Sequence, residues 1–393
     1  MGALWVAVFA CGVQAATPSH PANSFAIRNV RVFDGERTLA RTTVLVRDGR
    51  IAAVGPDTRI PAGLAVVDGS GKTLLPGLID AHVHVFPGAQ TNALRFGVTT
   101  ELDMFSTRAD FPHWREQRTS LRQVGEADTW SAGIGVTVPG GHPNKWVPET
   151  MPRFGPGTSA DAFVSERIAE GSDYIKLIVE DNAALDPEHR LPTLTPDQVC
   201  AVIAAARARG KLSVAHATTQ SNALTAIDCG ANGLAHTFVD APASDELVRR
   251  AKSRGVFFIS TVTLLDTTLK MDNPLVHAGD FENALESLRR LHAAGVPIVA
   301  GTDSPAPGTA HGATIHREIA NLVKAGLTPA EALAAASSLP AGIFGLRDRG
   351  RIQPGARADL LLVAGDPTAN IEDTLHIEAV WKNGFLVGRE AVN

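Results

Sequence analysis

Residues 76–84 read Pro76-Gly77-Leu78-Ile79-Asp80-Ala81-His82-Val83-His84, a turn pair followed by an apolar run that ends in two imidazoles. The run has the length of a buried strand. Side chains alternate faces along a strand, so His82 and His84 point the same way. Seven later segments share this texture: 98–104, 129–138, 174–179, 212–216, 233–237, 257–262 and 298–302. Alanine-rich helical segments separate them. Those over 196–209 and 329–337 open on Thr195-Pro196 and Thr328-Pro329, the expected N-cap and first helical position. Apolar strands alternating with helices predict a parallel sheet. Eight strands over roughly 270 residues suit an α/β fold of the (β/α)8 TIM-like barrel type. An open doubly wound sheet is the alternative. It would carry a glycine-rich phosphate fingerprint early in the region, and none is present.

The two ends of the chain differ from the centre. Residues 26–32 alternate in polarity before Asp34-Gly35, and 44–46 and 51–54 flank Asp48-Gly49. Segments 358–363, 379–381 and 385–387 repeat the pattern, with a turn at Asn383-Gly384. These features predict a small β-sandwich domain built from both ends, 25–73 with 350–393, around a barrel over 74–349.

The composition narrows the function. With 393 residues, 44% of them hydrophobic and 20% charged, the chain buries a sizeable core and is not a disordered protein. A net charge of −5 with no basic stripe argues against a nucleic-acid partner. So does an aromatic content of only 5%, with one tyrosine, which argues against base-stacking surfaces. No later stretch has membrane-span length, so no membrane partner is expected. The apolar run 3–13 is too short to span a bilayer, and Val13-Gln14-Ala15 reads as a processing site. Residues 1–15 are thus expected to be a signal peptide, although no Lys or Arg precedes the run, and the protein periplasmic or secreted. Cys11 falls in that leader. Cys200 lies in the first turn of one predicted helix and Cys229 at the end of the next. Level, parallel helices would hold them ~20 Å apart, beyond the reach of a disulfide, so both are expected as small buried apolar side chains.

Polar residues recur where the barrel strands end. Lys176 sits inside the apolar run Tyr174-Ile175-Lys176-Leu177-Ile178, His216 ends Val214-Ala215-His216, His236 ends Leu234-Ala235-His236, and Asp303 ends Gly301-Thr302-Asp303. The C-terminal ends of barrel strands are where such folds build their sites. Two imidazoles on one face chelate a borderline cation, and histidines with a carboxylate complete such a set. The competing reading has Lys176 paired with Glu180, hydrogen-bonded core histidines, and Asp303 capping a helix.

The pattern resembles the metal-dependent amidohydrolase superfamily, in its subgroup related to imidazolonepropionases and prolidase-like enzymes. The likeness rests on 76–84, Asp173-Tyr174-Ile175-Lys176, Ala215-His216-Ala217, Ala235-His236, Gly301-Thr302-Asp303-Ser304 and Gly355-Ala356-Arg357-Ala358-Asp359-Leu360. It implies two divalent metal ions, zinc first among them. His82, His84 and Asp303 would hold one, His216 and His236 the other, and Lys176 would bridge both as a carbamate formed with CO2. A bridging hydroxide would attack an amide carbonyl, with Asp303 as catalytic base and then acid. Relatives that deaminate or open an imidazolone usually place a glutamate three residues after the fifth-strand histidine and tend to lack the lysine. Here that position is Thr219, and Lys176 is present. The likeness therefore favours a small-molecule substrate of the dipeptide or N-acyl amino acid class. A lactonase or organophosphate hydrolase with the same metals, and a non-catalytic binding protein on this fold, are the alternatives. His142, in the loop after the third barrel strand, resembles a substrate-contacting histidine of prolidase-like relatives; the alternative is a loop histidine facing water. Lys145 is a candidate partner for a substrate carboxylate, and His311 a candidate neighbour of the mouth. The oligomeric state is left open. The export reading predicts a mature chain beginning near Ala16, which N-terminal sequencing of the cell-purified protein measures; a chain still starting at Met1 or Gly2 counts against it.

Overall fold

The computed structural model describes residues 22–106, 110–144, 147–271 and 276–388. The leader segment, with Cys11 and His20, and Lys145 lie outside the described residues. Strands β1 (Phe25–Phe33), β2 (Thr38–Arg47), β3 (Arg50–Gly55), β4 (Ala65–Asp68) and β5 (Lys72–Pro76) come first. The central region contributes β6 (Leu78–Val83), β7 (Val98–Asp103), β8 (Asp128–Ser131), β9 (Ile175–Ile178), β10 (Ser213–His216), β11 (Gly233–Ala235), β12 (Phe257–Ile259) and β13 (Ile298–Val299). The chain closes with β14 (Leu360–Ala364), β15 (Ile377–Lys382) and β16 (Phe385–Leu386).

Both ends of the chain meet in one mixed sheet of order β16-β15-β14-β5-β1-β2-β3, with β4 beside β1. Its hairpins turn where the residues allow it. Asp48-Gly49 and Asn383-Gly384 each hold two successive positive φ angles, 50° and 76°, then 53° and 77°, the backbone that twisted two-residue turns require. Strand β5 extends to Pro76 and pairs with β14 along Lys72–Pro76, so it passes directly from this sheet into the barrel.

The eight central strands are parallel to their neighbours, β6-β7-β8 in one run and β9 to β13 in another. Backbone bonds close the ring at both seams. Val136 N–H donates to Lys176 O at 2.8 Å and Ile178 N–H to Val136 O at 2.9 Å. At the other seam Ala81 N–H donates to Ala300 O at 2.9 Å and His84 N–H to Ser304 O at 2.8 Å. The second seam requires a glycine. A Cβ on Gly301 would stand 2.5 Å from Ile259 Cγ2 and 2.7 Å from His82 Cβ, so only glycine lets this segment lie against β6. One cluster takes Ile79, Leu102, Val214, Ala235, Ile259 and Val299 from six different strands. Only the barrel interior brings those side chains together.

Helices cover the outside. Pro196–Ala208 and Pro329–Ala335 both start with a capping box, from Thr195 with Gln198 and from Thr328 with Glu331. No helix among the described residues is long and apolar enough to cross a membrane. Barrel and mixed sheet are joined by a buried ionic cluster in which Lys382 Nζ stands 2.8 Å from both Asp128 and Asp359. Arg349 also reaches Asp128. Burial raises the Asp128 carboxyl, but the charges of Lys382 and Arg349 outweigh it and bring the pKa to about 2.

The two cysteines correct the expectation from sequence. Cys200 and Cys229 form a disulfide, with Cα atoms 4.6 Å apart. The premise of level helices fails here. The C-terminal end of helix Gln220–Cys229 abuts the flank of helix Pro196–Ala208: Cys229 Sγ approaches Pro196 O at 3.7 Å, and Arg207 reaches across to Gly230 O at 2.8 Å. The bond closes a loop with a sequence separation of 29. Replacing both cysteines by alanine is expected to lower the unfolding free energy by about 3.5 kcal/mol, measured by denaturant titration of the non-reduced proteins.

Candidate metal centre

The mouth of the barrel gathers the histidines and the aspartate. His82 Nε2 stands 3.2 Å and His84 Nε2 3.0 Å from the same oxygen, Asp303 Oδ1. The rings then form a chain. Centroids of His82 and His84 are 5.3 Å apart, His82 and His236 4.8 Å, His216 and His236 4.3 Å, and His142 and His216 4.9 Å. Ligand atoms of His82, His236 and Asp303 all lie within 4.8 Å of one another, a triad able to hold a metal ion.

Strand alternation delivers only part of this set. Val214 packs in the barrel interior, so His216, two residues on, faces inward too. Ala235 already occupies the interior, which would send His236 outward. A left-handed φ of 74° at His236 turns it back into the mouth. Asp303 also has a left-handed φ, 57°. Its cause is visible: the N–H groups of Thr302 and Asp303 both donate to His82 O, at 3.2 and 2.8 Å.

Lys176 is buried, and its Nζ has no hydrogen-bond partner among the described residues. The expected alternative pairing with Glu180 is not formed. Glu180 instead accepts from Asn182 N–H at 2.6 Å and from the Thr218 hydroxyl, and stands 3.5 Å from His216 Nε2. Burial lowers the Lys176 pKa to about 7, against the smaller opposing pull of Asp303 and Asp103. Burial and then the Lys176 charge take His82 down to about 3. Burial raises the Asp303 carboxyl, but His82 and His84 outweigh it and hold the pKa well below the usual carboxylate range. His82 and His236 are therefore neutral imidazoles beside one firm carboxylate and an amine close to neutrality, whereas at His84 burial is outweighed by Asp303, which raises the pKa. That donor chemistry fits a divalent cation.

A cavity of about 160 Å³ opens beside this cluster. His142, His216, His236 and Asp303 face it on one side, and Leu185, Val239, Leu264 and Leu265 make its other wall apolar. Burial and the His216 charge lower the His142 pKa to about 3, so it faces the cavity as a neutral ring. Sequence reasoning missed Glu180 as a partner of His216, and Thr261, whose Oγ1 lies 2.9 Å from His236 Nδ1. No spacing signals either. Thr219 caps helix Gln220–Cys229 by accepting from Asn222 N–H. His311 is buried against Glu101, 2.5 Å from Nδ1 to Oε1, rather than lining the cavity.

Comparison with known proteins agrees with this arrangement. The model of the amidohydrolase family matches residues 73–387. The chain belongs to the amidohydrolase family. It is 27% identical over 400 residues to an imidazolonepropionase of Geobacillus sp. (strain WCH70), covering 88% of this chain and 89% of that protein. A crystal structure of an amidohydrolase superposes with a TM-score of 0.77 at 25% identity, covering 93% of this chain and 99% of that one. A Xaa-Pro dipeptidase with bound methionine in its active site shares the fold, with a TM-score of 0.77 at 20% identity over 92% of this chain and 99% of that one. Family and triad together support a metal-dependent hydrolase acting on a C–N bond.

Lys176 makes the stability of the metal-free chain depend on pH. Its folded pKa of about 7 lies below the ordinary 10.5. Between those values the unfolded chain holds a proton that the folded chain does not, so stability rises with pH across the window and is lost as pH falls towards 7. The slope from this group is about 1.4 kcal/mol per pH unit. Urea titrations of metal-stripped parent and Lys176→Met at several pH values measure it, and the variant is expected to lack that increment.

Proposed function

We propose that the chain hydrolyses the C–N amide bond of a dipeptide or an N-acyl amino acid with two divalent ions, zinc first among them. The observation that carries this reading is Lys176, a buried, unpartnered amine close to neutrality beside the His/Asp cluster. A neutral lysine amine adds CO2, and the resulting carbamate offers two oxygens to two cations. His82, His84 and Asp303 would hold one ion and His216 and His236 the second, with the Lys176 carbamate as a further anionic ligand. When bound, the ions supply Lewis acidity towards the carbonyl and make water a nucleophile at neutral pH.

The chain's own groups do the rest. Asp303, firmly ionised and facing the cavity, takes the proton of the attacking water and returns it to the leaving nitrogen. The neutral ring of His142 donates a hydrogen bond to a substrate carbonyl or carboxylate. Leu185, Val239, Leu264 and Leu265 receive the apolar part of the substrate and keep water from it. The absence of glutamate at Thr219, whose hydroxyl is spent on a helix cap, favours an amide over a cyclic amidine. Export fits the Cys200–Cys229 disulfide, a bond that persists in oxidising compartments.

The test is a hydrolysis screen of N-acyl amino acids, dipeptides, lactones and phosphotriesters with the zinc-loaded protein, alongside elemental analysis. Amide turnover with close to two ions per chain is the expected result. Lactone or phosphotriester turnover without amide turnover replaces the substrate reading, and one ion or none in a fully active preparation removes the binuclear one. Asp303→Asn is expected to lower kcat by about 100-fold or more. Lys176→Arg is expected to be inactive, because a guanidinium cannot become a carbamate.

A further inference from the structure

Thr261 is the odd residue of the mouth. Its φ of 48° is left-handed, a backbone that β-branched residues rarely adopt. It precedes helix Val262–Lys270 as N-cap, yet its side chain caps nothing. That helix start is capped from outside, by Glu318 on helix Ala313–Lys324. The Glu318 carboxylate is fully buried. One oxygen accepts from the Ser260 hydroxyl and, at 3.0 Å, from Val262 N–H, while the other accepts from Thr263 N–H at 2.8 Å. One turn along the same helix, Asn321 Nδ2 donates to Thr263 Oγ1 at 3.0 Å. The donors on both sides of Thr261 are thus held by a single carboxylate. The Thr261 hydroxyl, free of capping, lies 2.9 Å from His236 Nδ1.

We infer that Glu318 and Thr261 form a positioning relay for His236: Glu318 clamps the 260–263 turn, and the turn holds the Thr261 hydroxyl where it accepts the His236 Nδ1 proton. With that proton fixed on Nδ1, Nε2 keeps its lone pair for a cation. The hydrogen bond on the far nitrogen sets both tautomer and ring direction. The clamp demands two acceptor oxygens. A glutamine at 318 would turn an N–H2 towards one of the donors and release that side of the turn. Neither residue lines the reaction as a catalytic group; Glu318 acts through Thr261, and Thr261 through His236. The inference rests on the metal-dependent reading of the site.

Zinc affinity, measured by competition with a chromophoric chelator, tests it without any substrate. Thr261→Val keeps the shape and removes the hydroxyl. It is expected to weaken zinc binding 10- to 100-fold while the metal-free chain keeps a cooperative thermal unfolding transition. Thr261→Ser restores the acceptor and is expected to bind as the parent does. Glu318→Gln is expected to weaken zinc in the same range. The double variant Thr261→Val/Glu318→Gln should lose no more than Thr261→Val alone, because one relay is broken once. Parent-like zinc affinity in Thr261→Val, or multiplying losses in the double variant, overturns the relay. Should Glu318→Gln fail to fold, the contrast between Thr261→Val and Thr261→Ser decides. A parent chain that takes up no zinc refutes the metal reading itself, a result distinct from equal affinity in parent and variants.

Discussion

The site depends on one seam, the contact between the first barrel strand and the segment after the last. Asp80 lies fully buried there. Its carboxylate accepts from Thr302 N–H at 3.0 Å and from the Thr302 hydroxyl at 2.7 Å, across 222 positions of sequence. His82 O takes the next two N–H groups, those of Thr302 and Asp303. These bonds bring His82 and His84 to one oxygen of Asp303. Without the seam the histidine pair and the aspartate belong to opposite edges of an open sheet. The seam is costly. Burial, with Glu101 nearby, raises the Asp80 pKa to about 7 although Thr302 pulls it down. Gly301 keeps that cost bearable, because only a residue without Cβ lets the strands approach closely enough for the bonds to form.

Burial sets the electrostatics of the mouth. Positive charge there is expensive, so His82, His142 and His236 are held neutral and Lys176 is brought near neutrality. Negative charge on Asp303 persists because imidazoles surround it. The same burial that disfavours protons on these groups leaves their lone pairs free, and a cation is what such a set attracts. Glu180 repeats the logic one step out. Burial raises it, but the nearby His216 ring and the hydrogen bonds that the carboxylate accepts from Thr218 and Asn182 outweigh that and take it down to about 2, a fixed charge behind His216.

Much of this was legible in the residues, and the exceptions have physical reasons. Each of the eight segments read from the sequence overlaps one barrel strand, β8 beginning one residue before its segment. The hairpin turns were legible from Asp-Gly and Asn-Gly. Polar residues at five of the strands were read as ligand candidates, and the structure places His82, His84, His216, His236 and Asp303 in one mouth. Side-chain direction was less legible. Ala235 and His236 both face inward, which alternation forbids and a left-handed backbone permits. The disulfide was hidden because helix crossing, unlike helix order, leaves no trace in local sequence. Glu180, Thr261 and Glu318 were hidden for a related reason: their partners lie on other elements, and no spacing marks a group that supports another.

Four non-glycine residues lining the cavity have left-handed backbone; asparagine tolerates it at Asn182, and at His236, Thr261 and Asp303 it costs of order 1–3 kcal/mol each. Such strain persists only where the surroundings over-determine it. Each of the three has an identifiable restraint. Asp303 is held because its N–H shares a carbonyl with that of Thr302. His236 is held by the bond of its N–H to Ile259 O at 3.0 Å and by Thr261 on its ring. Thr261 is held by the Glu318 clamp around it. The restraints come from neighbouring strands and a covering helix, not from the strained residues themselves. A barrel suits this arrangement because every rim position has two strand neighbours and a helix behind it. The scaffold can then impose on a few residues a geometry that none of them would adopt alone, and here those residues surround the candidate metal centre.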